Sequence, residues 1–131
     1  MGFSWPDGAG PRYDGRSRLT APPATYAARV ESSGAPPIAL VHGWGGSFAT
    51  TWEQSGFTML LADAGREVIG IDLLGHGTAP KPHEPEAYAD LTERVLAALP
   101  DEPVDAVGFS LGAITLLRTA IAEPGLSLIH I

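Results

Sequence analysis

The stretch "VDAVGFSLGAITLL", Val104 to Leu117, sets a serine between two glycines where a strand-like apolar run becomes a helix-like one. Gly108-Phe109-Ser110-Leu111-Gly112 fits the pattern Gly-x-Ser-x-Gly, a sharp strand-to-helix turn that exposes a serine at the carboxyl edge of a sheet. The glycines have a steric reason: strand and helix backbones come so close that a side chain at either flanking position collides, and the serine itself is held under backbone strain. Five residues match such a pattern by chance, so the argument rests on context: an apolar strand before, an apolar helix after. A plainer reading, a serine that only caps a helix, stays open, because Ser is a favoured cap residue.

Outward from this turn, "VDAVGF" (Val104 to Phe109) reads as a strand and "LGAITLLRTAIAE" (Leu111 to Glu123) as a helix, apolar on most sides and therefore expected to be buried. "IALVH" (Ile38 to His42) and "EVIGID" (Glu67 to Asp72) are continuous apolar runs of the kind buried on both faces. Between them, after the turn "GWGGS", the stretch "TWEQSGFTMLLADAG" has helical spacing through Trp52, Met59 and Leu60, with Gly65 placed to stop it. "LLGHGTAPKPHEPE" is loop. From Pro85 to Leu99 the apolar positions Tyr88, Leu91, Val95 and Leu99 predict an amphipathic helix ended by Pro100. Thr25 to Glu31 alternates as a strand does, and residues 1–24, dense in Gly, Pro, Asp and Ser, read as an irregular arm. Strands alternating with helices predict an α/β fold: a three-layer parallel sheet with helices on both faces, joined by right-handed crossovers.

Composition narrows the function. The 131 residues suit one domain or part of one, and 44% hydrophobic against 18% charged residues describes a globular chain. The net charge is -7, and Glu84, Glu86, Asp90, Glu93, Asp101, Glu102 and Asp105 fall in one short interval. That balance repels phosphate backbones and anionic lipid, which argues against nucleic acid or membrane as partners. The absence of cysteine excludes disulfides, thiolate metal sites and a cysteine nucleophile. The start "MGFSWPDGAG" lacks the cationic and apolar regions of a secretory signal, and no run approaches membrane-spanning length, so a cytoplasmic location is expected.

A serine at neutral pH is a poor nucleophile, and acyl transfer also needs donors fixed in advance for the oxyanion of its tetrahedral intermediate. Losing one such donor costs about 3 kcal/mol of barrier. His42-Gly43-Trp44-Gly45-Gly46, directly after a buried strand, is the second chemical element. In the serine-elbow architecture one donor is the N–H of the residue after the serine, here Leu111. The other comes from an earlier strand-end loop, here Trp44. Nucleotide binding fits this loop poorly. A Walker loop needs a lysine that is absent, and a dinucleotide fingerprint needs glycine where Phe48 stands.

Three segments together, "LVHGWGGS" (Leu40 to Ser47), "VIGIDLLGHG" (Val68 to Gly77) and "VGFSLGA" (Val107 to Ala113), resemble the α/β-hydrolase fold superfamily in its esterase, lipase and C–C hydrolase branch. The likeness runs from Tyr26 to Gly125 in the family's order. It implies Ser110 as nucleophile, Trp44 and Leu111 as oxyanion donors, His42, Gly43, Gly108 and Gly112 as motif-supporting residues, and a small-molecule acyl substrate with no cofactor. Serine at 110, rather than aspartate, argues against the dehalogenase and epoxide-hydrolase branches. In that family "D-x-x-G-H-G" mainly shapes a loop, which assigns Asp72 and His76 to turn hydrogen bonding; His42 is expected to orient its own loop and His83 to be solvated. No His and acid constellation has metal-ligand spacing, so no metal site is expected.

The family's triad follows the order Ser, acid, His. After Ser110 the chain offers only Glu123 and His130. A helical Glu123 lies about 20 Å from the serine and cannot serve it. His130 belongs to "LSLIHI" (Leu126 to Ile131), which matches an in-frame reading of a sequencing-library adapter and is expected to be a non-native tail. The expected organisation is thus an arm at 1–24, a partial α/β-hydrolase domain at 25–125 and that tail. The expected function is a serine hydrolase of a carboxylic ester, thioester or related acyl substrate through an acyl-enzyme on Ser110, inactive as it stands for want of its acid and histidine. Alternatives are an acyltransferase or cofactor-free lyase of the same fold, a non-catalytic ligand-binding member, and an enzyme using His76 as a non-standard base.

Overall fold

The computed structural model describes residues 34–125, so the expected strand at Thr25 to Glu31, the arm and the terminal six residues lie outside the described part. Three short parallel strands, β1 (Ile38–Val41), β2 (Val68–Ile71) and β3 (Asp105–Gly108), form a sheet in the order β2-β1-β3. Ile38 stands opposite Val68 on one side and Asp105 on the other, and Val41 opposite Ile71 and Gly108. Side chains on a strand alternate between faces, and apart from Asp105 at the start of β3 these strands are apolar at both sets of positions. Ala39, Val41, Ile69 and Ile71 join one core with Leu73, Val95, Val104, Ala106 and Leu116. Ile38, Leu40 and Val68 join a second with Phe48, against which Trp52, Phe57, Leu61 and Val107 pack.

The helices divide accordingly. α1 (Phe57–Asp63) follows β1 and covers the second core, while α2 (Thr92–Leu96) and α3 (Leu111–Ala122) cover the first. The chain steps one way from β1 to β2 and back past β1 to β3. Crossovers of one hand taken in opposite directions place their helices on opposite faces, which is the arrangement seen. On β2, Gly70 is required: a Cβ there would lie 2.7 Å from the Phe48 ring, which occupies the space over the strand.

Three expectations about helices change. The helix predicted through Trp52, Met59 and Leu60 is two pieces, a π-helical turn at Ala49–Glu53 and then α1, parted by Gly56 at φ 79°. Met59 and Leu60 point outward, and Phe57 and Leu61 face the sheet. α1 ends at Gly65, φ 71°, where Arg66 N–H donates to Leu61 O at 2.9 Å and Gly65 N–H to Ala62 O at 2.9 Å, a glycine-terminated cap. The amphipathic helix expected from Pro85 to Leu99 is also split, into a 3-10 turn at Pro85–Tyr88 and the short α2. The cause is Asp90, whose carboxylate accepts the Thr92 N–H at 2.8 Å and the Thr92 hydroxyl at 2.6 Å, a local bond that starts α2 afresh.

α3 corrects the third. Its buried stripe is Gly112, Thr115, Leu116 and Thr119, while Ile114, Leu117 and Ile121 are exposed. The two threonines bury their hydroxyls by donating one turn back, Thr115 to Leu111 O and Thr119 to Thr115 O, both at 2.9 Å. Small, internally satisfied residues let the helix lie close to the sheet. The bulky apolar positions fall on the face that nothing among the described residues covers.

Candidate active site

Adjacent strands β1 and β3 send their following segments to opposite faces, β1 toward α1 and β3 into α3. In an open parallel sheet the crevice for ligand opens at such a divergence, outside the carboxyl ends of the strands. Both motifs of the sequence sit at this place: His42 to Gly46 leaves β1, and Phe109 and Ser110 leave β3.

Ser110 has φ 52° and ψ -113°, the one non-glycine residue of positive φ among those described. A conformation of this kind costs roughly 1–3 kcal/mol and persists only when surrounding contacts over-determine it. The contacts are visible. Phe109 N–H donates to Val41 O at 3.0 Å, and Gly112 N–H to Phe109 O at 2.9 Å. A Cβ on Gly108 would stand 2.5 Å from Ala113 N, and one on Gly112 would strike the carbonyl oxygens of Val41 and His42. Gly108 thus lets β3 meet its own helix, whereas Gly112 lets that helix rest on the end of β1. The Ser110 side chain is exposed and makes no capping hydrogen bond to α3. The plain capping role is therefore not the one it plays.

The glycine loop approaches the same turn. A Cβ on Gly43 would lie 2.8 Å from the Phe109 ring and 3.2 Å from the Ser110 Cβ, so the two segments touch. Gly46 N–H donates to Gly43 O at 3.2 Å, closing a tight turn over Trp44 and Gly45, and Gly45 takes φ 71°. Trp44 is exposed and its N–H donates to no acceptor among the described residues. Leu111, the first residue of α3, likewise has no intrahelical acceptor for its N–H. Two backbone donors without an acceptor among the described residues thus lie on the segments beside the serine, from two different elements.

Behind this turn, buried side chains tie the β1 and β2 loops together. His42, fully buried, donates from Nδ1 to Gly43 O at 2.7 Å and accepts the Leu73 N–H at Nε2, 3.0 Å away. Those roles fix a neutral ring protonated at Nδ1. Burial pulls its pKa below the usual histidine range, outweighing the Gly43 carbonyl and Asp72, which favour the charged form, and His76 adds to the lowering. The 3.6 Å between His42 Nε2 and Asp72 Oδ1 is accordingly proximity, not an ion pair, since Nε2 carries a lone pair. Asp72 is buried too. Its Oδ1 accepts Phe48 N–H at 2.7 Å and its Oδ2 accepts the N–H and hydroxyl of Thr78 at 2.8 and 3.0 Å. Burial alone would raise its pKa, but the hydrogen bonds from Phe48 and Thr78 hold it below the ordinary aspartate value. Gly77 has no room for a Cβ because the Asp72 carboxylate occupies that space.

His76 donates from Nδ1 to Leu74 O at 3.0 Å and accepts Gly45 N–H at Nε2, 3.3 Å away. Both ring nitrogens are therefore engaged by backbone, which removes the expected alternative of His76 as a base toward Ser110. His83 is exposed, as an unpartnered loop histidine would be. Arg94 was not singled out from the sequence, yet its guanidinium Nε donates to Asp72 O at 3.2 Å and links α2 to the loop. Its place on a predicted amphipathic helix gave no sign of that reach. Among the described residues no group of three or more His, Asp or Glu could hold a metal ion, and no helix is long and apolar enough to cross a membrane.

Residues 36–126 match the family model described as alpha/beta hydrolase fold. The pimeloyl-[acyl-carrier protein] methyl ester esterase of Methylococcus capsulatus is 40% identical over 97 residues, covering 73% of this chain and 36% of that protein. The enzyme of the same name from Neisseria meningitidis serogroup C is 36% identical over 91 residues, 66% of this chain and 32% of that protein. Among solved structures, polyneuridine aldehyde esterase superposes with a TM-score of 0.55 at 27% identity, over 70% of this chain and 37% of that one. The chain spans about a third of the length of these relatives. With its parallel sheet, its helices on both faces and its match over most of its length, the chain belongs to the alpha/beta hydrolase fold family.

Proposed function

We propose that this chain carries the nucleophile and oxyanion hole of a serine hydrolase acting on a small carboxylic ester, thioester or related acyl compound. In this reading Ser110 Oγ attacks the acyl carbon, forming a new C–O bond, while the carbonyl oxygen takes the negative charge and is held by the N–H groups of Trp44 and Leu111. Collapse breaks the bond to the alcohol or thiol, which leaves with the proton that Ser110 gave up. Water then adds to the acyl carbon, the bond to Ser110 Oγ breaks as that oxygen takes back a proton, and the carboxylic acid leaves. The single observation that carries the reading is the strained, exposed Ser110 in contact with a loop whose Trp44 N–H has no acceptor among the described residues. Esterases among the relatives support the choice of substrate class.

The proton on Ser110 needs a base, and both histidines behind the site commit both ring nitrogens to backbone. The acid and base of the triad are therefore assigned to the greater length that the relatives possess, and the 131 residues alone are expected to be inactive. The test uses the protein encoded by the complete gene, treated with a fluorophosphonate probe. Labelling that disappears in Ser110→Ala is expected; equal labelling of the variant, or none of the wild type, overturns the assignment.

A further inference from the structure

The turn that carries Trp44 is held, among the described residues, by a side chain from another loop. Trp44 is 82% exposed and Gly45 is exposed, so packing does little to fix the peptide between them. The bond closing the turn, Gly46 N–H to Gly43 O, constrains its ends rather than that middle peptide. His76, from the loop after β2, reaches both sides of it. Its Nε2 accepts the Gly45 N–H at 3.3 Å, and its ring receives the edge of the Trp44 indole at a centroid distance of 5.5 Å and an interplanar angle of 75°. The imidazole is itself fixed by donating Nδ1–H to Leu74 O at 3.0 Å, which leaves Nε2 as an acceptor, and by resting 5.1 Å from the buried ring of His42.

We propose that His76 is a positioning residue for the oxyanion donor of Trp44, pinning the Gly43 to Gly46 turn at the Gly45 N–H and at the Trp44 indole so that the N–H of the Gly43–Trp44 peptide is held toward Ser110. The proposal rests on the serine-hydrolase reading above and deepens it. Middle peptides of tight turns rotate readily when they lack a partner. Rotation of this one takes Gly45 away from φ 71° but leaves the Cα of Trp44 and its own N–H nearly in place; that N–H moves when both His76 contacts are lost and the exposed turn is free to shift as a unit away from the β2 loop. A displacement of about 1 Å in a catalytic group can lower a rate by about 100-fold, without a matching effect on ground-state binding.

The experiment measures p-nitrophenyl butyrate hydrolysis by the protein from the complete gene and hydrogen exchange at the Gly45 amide by NMR. His76→Leu removes the acceptor, His76→Gln places an amide oxygen near the position of Nε2, and His76→Asn carries an oxygen too short to reach Gly45. Expected are a kcat reduced roughly 10- to 100-fold in Leu with KM within about 3-fold, most of that loss recovered in Gln, and faster Gly45 exchange in Leu than in Gln. A Leu variant with wild-type kcat overturns the proposal, as does Asn performing as well as Gln. Should Leu fail to fold, the Gln and Asn pair decides. Hydrolysis persisting in Ser110→Ala sinks the nucleophile reading instead; the exchange rate at Gly45 then still reports whether His76 holds the turn, and unchanged exchange rejects it.

Discussion

Replacing Asp72 with asparagine tests whether one buried carboxylate sets the β1 and β2 loops against each other. The wild-type side chain accepts three hydrogen bonds, from Phe48 N–H, Thr78 N–H and the Thr78 hydroxyl, and donates none. Asparagine has one accepting oxygen. If that oxygen stays with Phe48, the amide NH2 faces the Thr78 N–H, donor against donor. The Thr78 hydroxyl can turn to accept, but its backbone N–H cannot. A hydrogen bond to a charged group contributes about 1.5–3 kcal/mol and an abandoned, partly buried donor costs about 1–3 kcal/mol. Some relief comes from no longer burying a charge, so a net loss of about 2–3 kcal/mol is expected at pH 7. The assay is urea unfolding followed by far-UV circular dichroism. The pH dependence gives a second check. A carboxyl whose folded pKa is lowered contributes stability that is complete above its unfolded pKa, about 3.9, and is lost as pH falls below it. The gap between wild type and Asp72→Asn should therefore be constant down to about pH 4 and narrow on further acidification. A loss below about 0.5 kcal/mol at pH 7, or a gap that stays the same at pH 3, would refute the reasoning.

Two further outcomes follow from the same geometry. Gly112→Ala drives a methyl into the carbonyls of Val41 and His42, backbone atoms that cannot step aside. It should destabilise by at least about 2 kcal/mol in the same urea assay and abolish probe labelling at Ser110, because relief requires α3 to lift off β1; a stable, fully labelled variant contradicts the elbow packing. His42 is held neutral by burial, so its contribution is complete above about pH 6.5 and lost as pH falls below that value. Wild-type stability should decline between about pH 6.5 and 5, and His42→Gln should flatten that decline; an identical slope in both proteins would show that another group is responsible.

The sheet was legible because its signal is one of composition. Ile38 to Val41 and Val68 to Ile71 are apolar at every turn of the pleat, and Val104 to Phe109 at every one but Asp105, a pattern suited to strands covered on both faces. The serine turn was legible because its glycines are demanded by backbone collisions that any protein building this turn must avoid. The helices were less so. Periodicity put Tyr88, Leu91, Val95 and Leu99 on one stripe, but it cannot see the Asp90 carboxylate claiming the Thr92 N–H and restarting the helix. For α3 hydropathy pointed the wrong way, since closeness to the sheet favoured glycine and threonine over the isoleucines and leucine that a burial argument prefers. The bonds of His76 to Gly45 and of Arg94 to Asp72 O join residues 31 and 22 positions apart, and no local pattern encodes such a pairing.

The serine turn is, for the same reason, a property of two strands and not of five residues. Nothing within Gly108 to Gly112 forces Ser110 to φ 52°; an isolated peptide of that sequence escapes a strain of roughly 1–3 kcal/mol by relaxing. What holds it is β1. Val41 O accepts the Phe109 N–H, Gly112 lies on the carbonyls of Val41 and His42, and Gly43 presses against Phe109 and Ser110. Pairing of β1 with β3 therefore builds the elbow and brings the Trp44 loop to it in one step, so Ser110 and the Trp44 turn are positioned by the same contact. The β2 loop then locks the far side of that contact through His42, Asp72 and His76. Loosening any one of the three should first be felt at the Trp44 turn, the exposed and least packed member of the assembly, before the sheet itself gives way.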